Sequence, residues 1–228
     1  MNNYKQLEKN TVESQRQLRE TEVVKFINPN GKGKRIMFAG NSITLHGVKE
    51  DIGWNNCWGM AASEKENDYV HRLIKSIDDK EQDCAYCICQ ISTWEVNYKN
   101  GKSTYSLYKN AKNFQADIIV FRAVENCPYK DTEQEVFKKE LWGLLNYLSG
   151  EETEIILTTG FWHHPLDKGI IELSEEKSLP LAELGDLGED DEMKAIGLFE
   201  HNGVANHPGD KGMKKIAERI FKVIEKYI

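Results

Sequence analysis

Residues 35–44 read R-I-M-F-A-G-N-S-I-T, an apolar run that stops at Gly40 and gives way at once to Asn41, Ser42 and Thr44. The run reads as a buried strand. The polar residues after it read as a turn, since Gly and Asn tolerate positive φ and Ser and Thr cap a following helix. A serine held at a strand end is also where a nucleophile is presented, and this decapeptide alone fits both an ordinary turn and a reactive one. The rest of the chain has to separate them.

Working outward, apolar runs recur at Arg35–Ala39, Ala85–Ile91, Asp117–Phe121 and Glu154–Thr159, each separated from the next by a helical pattern. Glu64 to Ile77 carries Tyr69, Val70, Leu73, Ile74 and Ile77 on one face, Thr132 to Leu148 repeats the pattern with six apolar residues, and a last helix runs from about Asp210 to Tyr227. This alternation predicts an α/β protein with a parallel sheet covered by helices on both faces. Residues 1–30 read as a polar extension, helical around Tyr4 to Glu22, with N-P-N-G-K-G-K at 28–34 as the link to the first strand, and residues 31–228 as one main domain. Between Phe161 and Gly203 the chain is acidic and loop-rich, with a short helix near Asp190–Ile196. Ligands gather at the carboxyl ends of such strands. Four polar clusters arrive there: the opening turn, Gln90–Glu95, Arg122–Asn126 and Thr158–His164.

The chain has 228 residues, 39% hydrophobic and 29% charged, with a net charge of −7. That length suits one sizeable domain, and the negative charge argues against a general nucleic-acid or anionic-membrane binder and fits small neutral substrates. The first ten residues lack the apolar core of a signal peptide and no stretch approaches a membrane span, so the expectation is a cytoplasmic protein, or a secreted one if a leader has been removed. Five cysteines, an odd number unevenly spread, suit free thiols; Cys84, Cys87 and Cys89 in C-A-Y-C-I-C read as core residues of a strand and not as a metal site.

Acyl transfer by serine needs a base, a group that orients the base, and donors aimed at the developing oxyanion. His207 in V-A-N-H-P-G-D-K-G-M, just before the last helix, is the candidate base. Asn126, in F-R-A-V-E-N after the third strand candidate, offers a side-chain N–H, and the Ser42 amide with one from Ile91–Thr93 offers backbone donors. The order G-N-S-I-T, then E-N after a strand, then H-P-G-D-K-G-M resembles the SGNH (GDSL-like) hydrolases, from about Arg35 to the C-terminus. The resemblance implies a flavodoxin-like three-layer α/β/α fold, hydrolysis of esters, Ser42 as nucleophile, His207 as base, Asn126 as an oxyanion donor and no cofactor. Within that family the reading points to removal of short acyl groups, foremost O-acetyl groups on carbohydrate. The alternatives are a lipid or thioester acylhydrolase and a sugar-binding protein without catalysis.

The chain departs from the family's pattern at several places. Asn41 stands where many members have Asp, Q-I-S-T-W-E lacks the usual glycine so that Ser92 becomes the backbone-donor candidate, and Val124 takes another glycine place. Val204 stands where the family has the Asp that orients the histidine. A backbone carbonyl in Glu200–Asn206 is then the expected orienting group, with Glu200 the leading carboxylate candidate for a third catalytic member and Asp186, Asp190 and Asp191 behind it. Trp54, Trp58, His163 and His164 are candidate substrate contacts; the tryptophans equally suit cover for the core, and the histidines read as structural or substrate-contact residues and not as metal ligands. Arg122, Glu125 and Glu95 are candidates for an ion-pair network under the site, and Asp210 and Lys211 read as the start of the final helix.

Overall fold

Side chains alternate between two cores along every central strand. Met37, Cys87, Cys89, Ile119, Phe121 and Leu157 face one core, and Ile36, Phe38, Tyr86, Ile88, Val120 and Ile156 face the other, as the period of two in a strand buried on both faces requires. The computed structural model describes residues 18–129 and 133–228. Its strands are β1 (Val24–Ile27), β2 (Arg35–Gly40), β3 (Ala85–Gln90), β4 (Ile118–Arg122), β5 (Glu154–Thr158) and β6 (Leu181–Ala182), in the spatial order β1-β3-β2-β4-β5-β6. Five are parallel; β1 alone runs antiparallel, against β3.

The helices are α1 (Tyr69–Asp78), α2 (Ser92–Val96), α3 (Lys109–Asn113), α4 (Gln134–Leu148), α5 (Asp167–Lys177), α6 (Asn202–Ala205) and α7 (Asp210–Ile224). α1 and α7 close one face through Leu73, Ile77, Ile216 and Ile220, while α4 and α5 close the other through Phe137, Leu141, Ile170 and Leu173. The result is the three-layer α/β/α arrangement of a flavodoxin-like protein. Counting parallel strands only, the order is 2-1-3-4-5, which puts the topological switch point between β2 and β4. The turn after β2 and the loop after β4 therefore meet at the natural ligand crevice.

The four expected strands are β2 to β5, and the three expected helices are α1, α4 and α7. The sheet is larger than expected at both edges. Val24–Ile27 pairs with β3, so the polar extension assigned to residues 1–30 contains a strand of the domain; most of its expected helix lies outside the described residues. The acidic stretch after Phe161 holds α5 as well as 3-10 turns at Gly185–Glu189 and Asp191–Met193, the second in place of the short helix expected near Asp190–Ile196. Cys84, Cys87, Cys89 and Cys127 are buried free thiols and Cys57 is exposed. Burial pushes the Cys87 and Cys89 thiols up, the latter to about 12, consistent with packing residues.

Candidate active site

Gly40 ends β2 with no positive φ. Its need is space: a Cβ there would collide with Thr44 Oγ1 and lie 3.1 Å from Arg122 O. The chain turns back at once, with the Thr44 and Leu45 amides both donating to Asn41 O at 2.9 and 3.0 Å, and Thr44 Oγ1 sharing a hydrogen bond of 2.7 Å with Tyr69 OH. Ser42 is carried on this anchored turn, half-buried.

His207 reaches it from the opposite side of the crevice. Its backbone is held by His207 N–H to Val204 O and Ala195 N–H to His207 O, each 2.9 Å. Nε2 lies 2.8 Å from Ser42 Oγ, and Nδ1 lies 2.6 Å from Gly203 O. A carbonyl oxygen only accepts, so Nδ1 carries the proton and Nε2 is left bare to accept from the serine hydroxyl. The edge of the ring meets Trp162, with centroids 5.7 Å apart. Burial lowers the imidazole to about 4, so it is neutral at physiological pH.

Ser42 and His207 open onto a cleft of about 260 Å³, lined also by His46, Ile52, Met60, Gln90, Ser92, Asn126, His201, Gly203 and Val204. Asn126 and Ser92 thus reach the same cleft as the serine. Asn126 Nδ2 donates one hydrogen to Glu95 Oε2 at 2.6 Å. The Ser92 N–H is turned to Gln90 Oε1 at 3.2 Å, which also accepts the Ser92 hydroxyl at 2.9 Å. As a donor to a substrate oxygen, Ser92 has first to be released by Gln90.

Other expected residues lie elsewhere. Glu200 is exposed, and the carbonyl of Gly203 occupies the position by Nδ1 that a third carboxylate would take. Asp186 pairs with Arg219 at 2.7 Å, Asp190 accepts from the Glu192 N–H at 2.9 Å, and Asp191 pairs with Lys194 at 2.8 Å. Trp54 is fully buried in a cluster with Met60, Ala61, Ala195 and Val204, and Trp58 packs on it edge-on while donating Nε1–H to Ala62 O at 3.0 Å. Neither tryptophan lines the cleft, which corrects the sugar-stacking expectation. His163 is exposed beside Glu189, and His164 is buried, its ring joined to Cys127 O at 3.2 Å and to the Leu166 N–H at 3.1 Å. Both stand outside the cleft, His164 as a loop brace. Asp210 reaches across to the Ser63 amide and hydroxyl at 2.9 and 2.6 Å, so it ties a loop as well as starting α7.

His46 and His201 are cleft residues that sequence reasoning missed. The available signal was positional: His46 lies four residues past Ser42, and His201 lies in the segment that leads to His207.

Beneath the turn, Arg122 and Glu125 form a buried ion pair. Asn41 joins it, accepting from Arg122 Nη1 at 3.0 Å and donating Nδ2–H to Glu125 Oε2 at 2.6 Å and Glu95 Oε1 at 3.0 Å. The network expected under the site is present, with Asn41 rather than a direct Arg122–Glu95 contact at its centre.

Among the described residues no three His, Cys, Asp or Glu side chains are grouped to hold a metal ion, and no helix is long and apolar enough to cross a membrane. No family model and no curated protein matches the sequence. Solved structures do match. A lipase/acylhydrolase from Enterococcus faecalis is 15% identical with a TM-score of 0.57, covering 85% of this chain and 96% of that one. A Bacteroides ovatus protein designated a GDSL-like lipase is 15% identical, with a TM-score of 0.52 and coverage of 85% and 98%. A two-domain esterase active on acetylated mannans is 13% identical, with a TM-score of 0.57, covering 89% of this chain and 56% of that one. With the strand order, the switch-point crevice and these likenesses together, the chain has the fold of the SGNH (GDSL-like) hydrolases.

Proposed function

We propose that this protein is a serine esterase of the SGNH type acting on short-chain esters, foremost O-acetyl groups on carbohydrate. The observation that carries the reading is the chain of contacts from Ser42 Oγ to His207 Nε2 at 2.8 Å and from His207 Nδ1 to Gly203 O at 2.6 Å. In this mechanism Ser42 Oγ attacks the ester carbonyl while its proton passes to Nε2; the tetrahedral oxyanion is met by the Ser42 N–H and the second Nδ2–H of Asn126. Nε2 then returns the proton to the departing alcohol oxygen. A water molecule, deprotonated by the same nitrogen, attacks the acyl-enzyme and releases the carboxylic acid, regenerating Ser42.

The short acyl group is supported by the cleft, whose volume of about 260 Å³ falls below the ~300 Å³ at which drug-sized pockets begin. A carbohydrate leaving group is supported by the polar wall of His46, Gln90, Ser92 and His201 and by the likeness to the mannan esterase. One observation favours an acyl-lipid substrate instead: Val48, Ile196 and Leu198 are exposed on the segments that also carry His46 and His201.

Incubation with an organophosphonate and subsequent intact-mass and peptide analysis tests the nucleophile. One adduct on Ser42, absent from Ser42→Ala and from His207→Ala, is the expected result. An unmodified protein, or an adduct on another residue, overturns the assignment.

A further inference from the structure

Glu95 takes no part in the acyl-transfer steps, yet it is a fully buried carboxylate on α2 at the edge of the site. Its Oε1 accepts from Asn41 Nδ2 at 3.0 Å and from the Val124 N–H at 2.7 Å; its Oε2 accepts from Asn126 Nδ2 at 2.6 Å. One side chain therefore joins the turn that carries Ser42 to the loop after β4 that carries Asn126. Val124, two residues before Asn126, has φ of +116°, a strained conformation for a β-branched residue. The hydrogen bond to its N–H helps hold that backbone in place.

The two ends of an asparagine amide have the same shape and opposite polarity. An ionised carboxylate can only accept, so it holds Asn126 by its nitrogen and leaves the second hydrogen of that nitrogen for the cleft. A protonated carboxyl can donate, and it would stabilise the flipped amide, whose oxygen would then face a developing oxyanion and repel it.

We propose that Glu95 is a positioning residue whose carboxylate locks the Asn126 amide with its nitrogen toward the oxyanion site beside Ser42, and whose protonation releases that lock. This rests on the esterase reading. The ionisable groups around Glu95 are Glu125 and Arg122 from the end of β4, Cys127 beyond them, and Tyr108 before α3. Arg122 pairs with Glu125 and not with Glu95. Burial first and the Glu125 charge second push the Glu95 carboxyl above the usual carboxylate range, so the lock opens at a higher pH than that at which His207 takes up a proton.

The test is a double-mutant cycle on turnover of a short aryl ester. Glu95→Gln and Asn126→Ala are each expected to lower kcat about 100-fold, the size of one lost oxyanion donor, with KM nearly unchanged. In the Asn126→Ala background, Glu95→Gln should cost less than about threefold more, because the lock then has nothing to hold. Wild-type kcat should show a partial step above the acid limb of the base, and that step should be absent from Asn126→Ala. Multiplicative losses in the double variant, or a step that survives in Asn126→Ala, overturn the proposal. Side-chain amide NMR of the wild type covers the case in which Glu95→Gln fails to fold. One of the two Asn126 Nδ2 protons, identified by its absence in Asn126→Ala, should lie downfield and move back as pH falls through the step; two ordinary resonances at every pH overturn the lock. Ser42→Ala separates the lock from the esterase reading beneath it. Retained turnover there rejects the esterase reading itself, whereas lost turnover with multiplicative Glu95 and Asn126 effects rejects only the lock.

Discussion

Gly203 O accepts the proton of His207 Nδ1 at 2.6 Å, from a residue four places earlier in the same short turn. The group that orients the imidazole is thus neutral backbone, adjacent to the valine that stands in the family's aspartate place. Glu200→Gln removes an exposed charge and leaves this bond intact, so it is expected to cost less than about tenfold in kcat/KM, or ~1.4 kcal/mol. Steady-state kinetics on a short ester would measure it. A thousandfold loss, the scale of a working triad carboxylate, would show that Glu200 moves in to complete a triad.

Restoring the family residue should not help. Val204 is fully buried beside Trp54, Met60 and Ala195, and Nδ1 is already occupied by Gly203. Val204→Asp is expected to lower stability by about 2 kcal/mol in denaturant unfolding, as a polar group placed in an apolar cluster does, without raising kcat/KM. A tenfold gain in rate at unchanged stability would contradict it.

His207, the proposed base, should remain unprotonated in moderate acid. Because burial lowers His207 to about 4, Nε2 stays free to accept a proton well below the usual imidazole range, and the limb of kcat/KM that belongs to the base is expected near pH 4. The same shift affects folding. Between roughly 6.5, where an unfolded histidine titrates, and about 4, the unfolded chain binds the extra proton, so stability declines as pH falls through that window. In Asn126→Ala, where no Glu95 step is expected, an acid limb of kcat/KM at 6.5 or above would show a fully solvated imidazole.

Acyl length is expected to discriminate substrates. In a cleft of about 260 Å³ whose aliphatic wall consists of Ile52, Met60 and Val204, kcat/KM is expected to fall at least about tenfold from acetyl to octanoyl p-nitrophenyl esters. A rise along the series would favour the acyl-lipid reading and assign the exposed Ile196 and Leu198 to it.

Gly40→Ala tests the turn. The added methyl would collide with Thr44 Oγ1 and press on Arg122 O at 3.1 Å, so either Thr44 leaves Tyr69 or β2 moves away from β4. A loss of about 1–3 kcal/mol is expected, with a fall in turnover because Ser42 rides on the same turn. Unchanged thermal stability and turnover would show that the turn yields freely.

That Ser42, Asn126 and His207 meet at one cleft was legible because each lies in a short run with punctuation, a strand end or a helix start, that fixes its place in the fold. The central strands were equally plain, being apolar on both faces. Trp54 and His164 misled because proximity along the chain to a site says nothing of direction: one points into the core and the other back onto its own loop. α5, D-K-G-I-I-E-L-S-E-E-K, was hidden by weak amphipathy in an acidic stretch, and β1 by its four-residue length and polar flanks. The link from Glu95 to Asn126 spans 31 positions and depends on which atoms of a carboxylate face which donors, a fact that no pattern of residue types contains.

β1 has a consequence for solubility. By running against β3 from Val24↔Cys89 to Ile27↔Tyr86, it occupies the backbone N–H and C=O groups of what would otherwise be an apolar open edge. At the other end, β6 has only two residues and offers little to pair with. A truncation that removes residues 18–30 would uncover a six-residue strand, A-Y-C-I-C-Q, with no charge and no proline to deter a second chain. Such a shortened protein is expected to self-associate through that edge.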